Sequence, residues 1–275
     1  MSSASQLRQL ADTPIRDPIS PEGLAAVLGS APFISTPGAF NLRDMGLVPG
    51  SALRSGLVYR SAKLGPVQSE WIANKVGVVF DLRRPAERDK SPDPTIDGVP
   101  NVWNPPQAPY DAPNLAEFAI GDGSEAWGAQ YLRVLKGYAV TFRQVLEHVR
   151  DRPGVPFLFH CTAGRDRTGV LAGILHGVAG TSPSASQLDY LISRIGTEPR
   201  RTELMMLVAN SLGAGDKDAA GLENLASLRP SFWTLFIEGM QREYGDWDGY
   251  VRWLGFSDKD IAVIRSNLRE QQGRL

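Results

Sequence analysis

One cysteine and one arginine stand at a spacing that suits phosphate chemistry. Cys161 precedes Arg167 by six residues in the run HCTAGRDRTG, residues 160–169, which we call the signature loop. Apolar residues 155–159 before the loop predict a buried strand, and residues 170–175 after it carry apolar side chains at helical spacing. A loop between a strand and a helix N-terminus binds anions, because the first N–H groups of the helix have no partner within it. The spacing therefore predicts a thiol nucleophile beside an arginine that can bind two phosphate oxygens.

Other side chains of the signature loop suit the same chemistry. A thiol attacks phosphorus as the thiolate, which a helix N-terminus and a nearby cation favour. Arg167 presents paired planar donors that match two oxygens of a phosphate, which a lysine cannot do. Gly164 lets the backbone bend so that successive N–H groups converge on the anion. We expect these residues to contact the phosphate: Thr162, Ala163, Gly164, Arg165, Asp166 and Arg167.

Asp166 distinguishes a catalytic loop from a simple anion cradle. A carboxylate beside a phosphate is electrostatically costly unless it carries a proton, so we expect Asp166 to protonate the leaving oxygen. The alternative is a carboxylate that only favours the start of the helix. We expect Thr168 to donate its hydroxyl to the Cys161 sulfur, and His160 to lie behind the loop, bonded to backbone. The alternative for Cys161 itself is a small buried apolar residue.

A second candidate acid follows another predicted strand. Residues 77–83 are rich in β-branched and aromatic side chains, which favour a buried strand. Ligands of open α/β sheets collect at the carboxyl ends of the strands, so Asp81 would lie near the mouth of the crevice that contains Cys161. We expect Arg83 and Glu87 to form a stabilising ion pair.

The run HCTAGRDRTG resembles the HCxxGKDRTG signature of the cysteine-dependent protein tyrosine phosphatases, in the form found in a bacterial and fungal family. Three further segments fit this family: residues 40–46, residues 80–83 with Glu87, and residues 244–269. Arg165 departs from the pattern, since family members usually have lysine at this place. The resemblance implies that Asn41, Arg43 and Asp44 pack beneath or beside the signature loop; the alternative is local turn chemistry.

The pattern of elements predicts an α/β fold with a short, mainly parallel central sheet, helices on both faces and extra C-terminal helices. Further predicted elements are a helix over 66–76, a strand over 99–103 and helices over 126–150, 184–195, 200–212, 232–244 and 257–268. We expect residues 1–32 to form a partly ordered N-terminal extension and residues 33–275 to form the phosphatase domain. The resemblance implies a helical lid inserted at about residues 198–230. The acidic, proline-rich stretch 104–123 is either a surface loop or a lid over the site.

The composition of the chain excludes several classes of protein and several kinds of functional site. The chain has 275 residues, of which 42% are apolar, and its formal net charge of −1 gives no support for nucleic-acid binding. One cysteine excludes an internal disulfide and fits a reducing compartment. No apolar run reaches the roughly 18 residues of a spanning helix and the N-terminus lacks a secretory signal, so we expect no stable membrane insertion and a cytoplasmic location. Three scattered histidines and no clustered carboxylates predict no metal site.

The residues and the resemblance together predict a phosphatase that works in two steps. Cys161 would attack the phosphate ester while Asp166, or Asp81, protonates the departing oxygen; water would then hydrolyse the cysteinyl phosphate. No metal or organic cofactor is expected, and inorganic phosphate is the expected active-site ligand. The resemblance places phosphotyrosine in proteins first among substrates, and Arg165 as a second cation leaves phosphoinositides as the alternative. A catalytically silent phosphate-binding module with this fold is the alternative of a different class.

Overall fold

Five short strands form the central sheet in the computed structural model, which describes residues 2–108, 113–212 and 219–269. The strands are β1 (Arg43–Asp44), β2 (Val58–Ser61), β3 (Val78–Asp81), β4 (Asn101–Trp103) and β5 (Phe157–His160). Their order across the sheet is β1-β2-β5-β3-β4, and all neighbours are parallel except β1 and β2. The predicted α/β fold with a mainly parallel sheet is confirmed.

The central strand β5 is buried throughout. Residues 157–159 are fully buried, as a continuous apolar run predicts for an inner parallel strand. His160 at its end lies in register with Ser61 of β2 and Asp81 of β3. Three parallel strands thus end side by side, and the signature loop leaves the sheet at this edge.

Helices make up most of the described chain. Those before the signature loop are α1 (Ala4–Ala11), α2 (Pro21–Leu28), α3 (Ser69–Lys75), α4 (Pro85–Lys90), α5 (Leu115–Phe118), α6 (Ser124–Gly137) and α7 (Ala139–Asp151). Those from the loop onward are α8 (Asp166–Ala179), α9 (Pro183–Leu191), α10 (Ser193–Thr197), α11 (Arg201–Leu212), α12 (Ala219–Ala226), α13 (Pro230–Tyr244), α14 (Trp247–Trp253) and α15 (Asp258–Leu268). Short 3-10 helices span Met45–Leu47, Pro66–Gln68 and Glu198–Arg200. Among the described residues, no helix combines the length and the apolar character needed to cross a lipid bilayer.

The single helix predicted over residues 126–150 is two helices, α6 and α7, which meet at Tyr138. Tyr138 leaves the helical region, with φ −112° and ψ 17°, and its side chain is buried. Burial raises the pKa of Tyr138 and the nearby Arg167 opposes this rise, so the Tyr138 hydroxyl lies close to Arg167. Apolar side chains recur at helical spacing through position 138, and periodicity alone therefore predicts one helix.

Residues 2–32 include two short helices that pack on the core. They contain α1 and α2, whose Leu7 and Val27 are fully buried in the core. Ser20 caps α2 by accepting a hydrogen bond from Gly23 N at 3.1 Å. Burial of the apolar side chains ties this segment to the rest of the chain. The division into an extension, a domain and a lid stays a prediction.

The helix after the signature loop, α8, is buried along most of its length. Two of its glycines allow a very close approach of other helices: a Cβ at Gly177 would lie 2.0 Å from the Trp247 ring, and one at Gly173 would lie 2.8 Å from the Trp233 ring. This packing fixes the axis of α8. The N-terminus of α8, where the signature loop enters the helix, is thereby fixed as well.

Candidate active site

The signature loop turns sharply between β5 and α8. Gly164 has φ +65°, and a Cβ at this position would lie 2.3 Å from the Ser61 carbonyl oxygen, so only glycine fits here. The helix begins at Asp166, and Arg167 and Thr168 lie in its first turn. The predicted order of strand, loop and helix is present.

The carbonyl groups of the signature loop point back into the protein. Three consecutive oxygens, those of residues 162–164, accept hydrogen bonds from Lys63 N (3.2 Å), Asn41 Nδ2 (3.0 and 2.9 Å) and Arg60 Nη2 (2.9 Å). The C=O and N–H groups of a planar trans peptide point in opposite directions. The N–H groups of residues 163–165 therefore face the other side of the loop, where they form a cup for an anion.

Cys161 and Arg167 lie together at this cup. Cys161 is 2% exposed, and the Arg167 side chain is 9% exposed. Burial opposes the charge of Arg167, but the nearby Cys161 sulfur and the Glu87 carboxylate raise the pKa of Arg167 well above its ordinary value. A permanently charged guanidinium beside the sulfur is the arrangement that the spacing predicts.

Glu87 of α4 is a site residue whose role the sequence pattern does not reveal. Its carboxylate accepts hydrogen bonds from Arg167 Nη1 (2.6 Å) and Nη2 (2.8 Å) and from the Thr162 hydroxyl (2.5 Å). Burial would raise the pKa of Glu87, but Arg167 and Thr162 hold it well below its usual range. The predicted Arg83–Glu87 pair is wrong, because Arg83 precedes the helix and instead binds Asp81 through two hydrogen bonds of 2.9 Å.

Asp166 lies in the first turn of α8, with its side chain 23% exposed. Its Oδ1 accepts hydrogen bonds from the Tyr131 hydroxyl (3.0 Å) and from Arg165 Nε (3.2 Å). The Tyr131 hydroxyl also contacts the Tyr190 hydroxyl at 2.8 Å. Both hydrogen bonds to the Asp166 carboxylate engage Oδ1.

Comparison with known proteins assigns the family. The model of the tyrosine phosphatase family matches residues 34–270, which is most of the chain. The chain belongs to the tyrosine phosphatase family. The resemblance based on the signature loop is therefore confirmed.

Relatives of this phosphatase chain match it over different lengths. A tyrosine-protein phosphatase of Nostoc commune is 26% identical over 147 residues, which cover 52% of the chain and 49% of that protein, so the match spans about half of the relative. The triple specificity protein phosphatase PtpB of Mycobacterium tuberculosis is 23% identical over 275 residues, covering 84% of the chain and 97% of that protein. Among solved structures, that of P. aeruginosa TpbA in complex with pTyr is 19% identical to this chain, with a TM-score of 0.34. The match covers 64% of this chain and 97% of the TpbA chain.

Asn41, Arg43 and Asp44 differ in how they relate to the phosphatase signature loop. Asn41, at φ +55°, donates to the two loop carbonyls and accepts from Arg43 Nη1 at 2.5 Å. Arg43 is fully buried and pairs with Asp189. Asp44 instead accepts hydrogen bonds from Gly46 N at 2.8 Å, from Gly56 N at 2.7 Å and from the Ser55 hydroxyl at 3.2 Å. Asn41 thus contacts the loop and Arg43 supports Asn41, whereas Asp44 caps its own turn and also binds residues 55–56 before β2.

Two contacts predicted beside the nucleophile are not formed. Thr168 Oγ1 is buried and bonds to none of the described residues, so the predicted bond from this hydroxyl to the Cys161 sulfur is absent. The His160 ring contacts a carboxylate rather than backbone, with Nε2 at 3.0 Å from Asp93 Oδ2. Asp93 lies between α4 and β4, so this contact joins segments far apart in sequence and no local pattern predicts it.

Asp81 ends β3 as predicted but is not open to the phosphatase site. It is fully buried, and its Oδ1 accepts from Arg83 Nε at 2.9 Å. Its Oδ2 accepts from Arg83 Nη2 at 2.9 Å and from Arg88 Nε at 2.8 Å. Both oxygens are held by guanidinium groups, which does not suit the predicted alternative role as proton donor. Of the two candidate acids, Asp166 has the more exposed side chain.

One cluster of the described residues brings possible metal ligands together. Atoms of Asp81, Asp93 and His160 lie within 4.8 Å of one another. Arg83 Nη2 also contacts Asp93 Oδ1 at 2.8 Å, and Arg88 contacts Asp81. Because two guanidinium groups already balance the two carboxylates, this cluster is an ion-pair network beneath the signature loop rather than a cation cage.

Arg165 binds a helix instead of facing the phosphate cup. Its Nη1 donates to the Ala226 carbonyl (2.5 Å) and its Nη2 to the Leu225 carbonyl (2.8 Å), at the end of α12. Its guanidinium carbon lies 5.4 Å from the centre of the Trp127 ring, and Nε donates to Asp166. All three guanidinium nitrogens of Arg165 donate to protein groups. Arg165 therefore does not lie where a second phosphate-binding cation, as expected from the sequence, would lie.

Proposed function

We propose that this chain hydrolyses phosphate monoesters, with phosphotyrosine in proteins as the first substrate class, through a cysteinyl-phosphate intermediate. One observation carries the proposal: the carbonyls of residues 162–164 bond backward, so that the loop N–H groups, Cys161 and Arg167 surround one space. A nucleophile, a forked cation and convergent N–H donors are the groups that stabilise charge developing on phosphate oxygens.

The reaction takes two displacements at phosphorus. In the first, the Cys161 sulfur attacks phosphorus, the bond to the ester oxygen breaks, and Asp166 gives its proton to the departing oxygen. In the second, water attacks phosphorus, Asp166 takes a proton from the water, and the sulfur–phosphorus bond breaks. The thiolate is restored and inorganic phosphate leaves. These side chains balance both steps in protons and electrons without a metal or an organic cofactor.

Glu87 determines which edge of the Arg167 guanidinium is available to bind the phosphate. It accepts from both terminal nitrogens of Arg167, and the Leu82 carbonyl accepts from Nη1 at 3.0 Å. An arginine has a second two-donor edge, formed by Nε and Nη2. We assign this edge to two phosphate oxygens, since the first edge is turned to the protein.

Phosphotyrosine comes before phosphoinositides in this proposal. The family description and the names of both relatives support tyrosine phosphatase activity. The sequence suggests a polyanionic headgroup only through Arg165, and the three nitrogens of Arg165 donate to Asp166, Leu225 and Ala226 instead. Phosphoinositides remain the alternative, and the name of the relative PtpB, a triple specificity protein phosphatase, supports a family member that accepts more than one class of substrate.

The working compartment follows from the nucleophile. Cys161 must remain a thiol to react, and the chain contains no second cysteine with which it could form an internal disulfide. We therefore propose the reducing cytoplasm as the location, where external thiols keep such a residue reduced.

Substitutions of the nucleophile and the acid test the proposal. We expect Cys161→Ser to abolish release of phosphate from p-nitrophenyl phosphate and from a phosphotyrosine peptide. We expect Asp166→Asn to lower kcat about 10²- to 10⁴-fold on the peptide, because general acid catalysis is of this size. The loss on p-nitrophenyl phosphate is expected to be smaller, since nitrophenolate leaves without a proton. Steady-state kinetics at pH 6–7 measure both effects.

Controls separate an enzyme from a silent phosphate-binding module. Asp97→Asn changes an exposed aspartate and is expected to keep the wild-type rate. Inorganic phosphate is expected to inhibit competitively, as the product of the second step. Phosphate binding without turnover by the wild-type chain would instead support the silent module. Faster release from short-chain phosphoinositides than from the peptide would reverse the order of substrates.

A further inference from the structure

Arg60 of β2 is a fully buried arginine that contacts the signature loop from behind. Its Nη2 donates to the Gly164 carbonyl oxygen at 2.9 Å and lies 3.5 Å from the Arg165 carbonyl oxygen. The peptide groups that begin at these carbonyls carry the N–H groups of residues 165 and 166 on their opposite side. Arg60 therefore holds the back of two peptide groups at the end of the loop where α8 begins.

Asp189 of α9 fixes the direction of the Arg60 side chain. Its Oδ2 accepts from Arg60 Nη1 at 2.6 Å, and its Oδ1 accepts from Arg43 Nε at 2.8 Å. All three side chains are at most 1% exposed. Arg43 also donates to Asn41 Oδ1, and Asn41 Nδ2 donates to the same Gly164 carbonyl that Arg60 holds. The loop is thus tied to a buried network that spans two strands and a helix.

The charges of this network do not cancel. Among the described residues, Asp189 is the one carboxylate that contacts either Arg43 or Arg60, so two positive charges share one negative charge. Burial and the charge of Arg60 lower the pKa of Arg43 to about 10, which leaves it charged at neutral pH. Burial would raise the pKa of Asp189, but Arg60 and Arg43 hold it well below its usual range. His176, with Nε2 at 3.5 Å from Asp189 Oδ2, adds no negative charge.

The uncompensated positive charge lies on the carbonyl side of the loop and affects anion binding on its N–H side. Charge interactions are stronger in a protein interior than in water, and burying an unbalanced cation is unfavourable. An anion bound by the N–H groups on the opposite side of the same peptide groups would offset this positive charge without contacting Arg60. The network is therefore placed to favour phosphate binding through the loop.

We propose that Arg60 is a positioning residue for phosphate: it turns the peptide groups between residues 164 and 166 toward the anion and keeps a positive charge behind them. The role in turnover rests on the proposed function, whereas the role in phosphate binding does not. Arg60 thus contributes to the affinity for a phosphate that it does not contact.

Calorimetric titration with inorganic phosphate tests this role directly. We expect Arg60→Met to weaken phosphate binding about 10- to 100-fold, because it removes a buried charge and charge-assisted hydrogen bonds. Arg60→Lys keeps the charge and is expected to recover most of the affinity, whereas uncharged Arg60→Gln is not. The control is Arg152→Met, which changes an exposed arginine and is expected to keep the wild-type Kd.

The stoichiometry of the same titration separates positioning from simple stability. A merely structural role would lower the fraction of binding-competent protein and leave Kd unchanged in the remainder. Positioning changes Kd, and kcat/KM on a phosphotyrosine peptide falls by at least the same factor. A Kd for Arg60→Met within twofold of wild type would overturn the proposal. If that variant does not fold, equal Kd values for the Lys and Gln variants would overturn it instead.

A crystal structure of the wild-type chain with phosphate gives a test that needs no variant. We expect the contact between Arg60 Nη2 and the Gly164 carbonyl to persist while phosphate contacts the N–H groups of residues 165 and 166. Displacement of Arg60 from that carbonyl would contradict the proposal. Binding of phosphate by a wild-type chain that shows no turnover would refute the proposed function alone, and the comparison of Kd values would still decide the role of Arg60.

Discussion

Glu87 is the side chain that orients Arg167, and its charge should matter more than its shape. Glu87→Gln keeps the side-chain length but replaces one acceptor oxygen by an NH₂ donor, which would face an N–H donor of the Arg167 guanidinium. We expect kcat/KM on p-nitrophenyl phosphate to fall about 10- to 100-fold, since a misplaced clamp loses transition-state contacts. Steady-state kinetics measure this loss, and Glu70→Gln on exposed α3 is the matched control. Unchanged kcat/KM in Glu87→Gln would contradict this role.

At the same scale, the sequence predicts residues that act within one short segment and misses their distant partners. Cys161, Arg167 and Gly164 belong to one loop, so their types and spacing are enough to predict the cup. Glu87 lies 80 positions from Arg167, and the Arg60 guanidinium meets a carboxylate 129 positions away. Such pairs depend on which strands and helices become neighbours in the fold, and a local sequence pattern does not predict this arrangement.

At the scale of elements, Arg165 connects the signature loop to α12. Its bonds to the Leu225 and Ala226 carbonyls satisfy groups at the helix C-terminus, where partners within the helix are lacking. We expect Arg165→Ala to increase hydrogen exchange of amides in residues 219–226 about tenfold, corresponding to the loss of about 1.4 kcal/mol of local stability. Exchange measured by mass spectrometry should show no such change for exposed Arg152→Ala. Unaltered exchange over α12 would show that Arg165 does not hold it.

Elements are predictable where one run of residues determines them. β3 and β5 follow from apolar, β-branched or aromatic runs, and Ser20 marks the start of α2. The two-residue strand β1 carries no such run, because its pairing with β2 depends on tertiary contacts. The break at Tyr138 has the same origin: the side chain turns toward Arg167, which the periodicity of a helix does not encode.

For the whole molecule, the α/β class could be predicted, but the packing of the N-terminal segment could not. Arg194 Nη2 donates to the carbonyl oxygens of Pro14 (3.3 Å) and Asp17 (2.7 Å). Arg201 Nη1 donates to that of Ile15 at 3.1 Å. These bonds hold irregular backbone through side chains about 180 positions away, and no local pattern predicts them.

Buried ion pairs that join separate segments should make the fold sensitive to acid. Asp93 links the segment just after β3 to β4 and β5 through Arg83, Asn101 and His160. Burial would raise its pKa, but His160 and Arg83 with Asn101 lower it to about 2 from an ordinary value of 3.8. A carboxyl whose pKa is lower in the folded state stabilises the fold above its unfolded pKa and loses this contribution as pH falls.

We therefore expect the free energy of unfolding to fall between about pH 4 and pH 2, with Asp93 accounting for about 2 kcal/mol. Urea unfolding followed by tryptophan fluorescence at several pH values measures this curve. Asp93→Asn cannot titrate, so this variant should be less stable than wild type at pH 7 and should lose less stability in the acid range. Asp97→Asn, which changes an exposed carboxyl, should follow the wild-type curve. Parallel curves for wild type and Asp93→Asn below pH 4 would show that protonation elsewhere, at Glu87 or Asp189, causes acid unfolding.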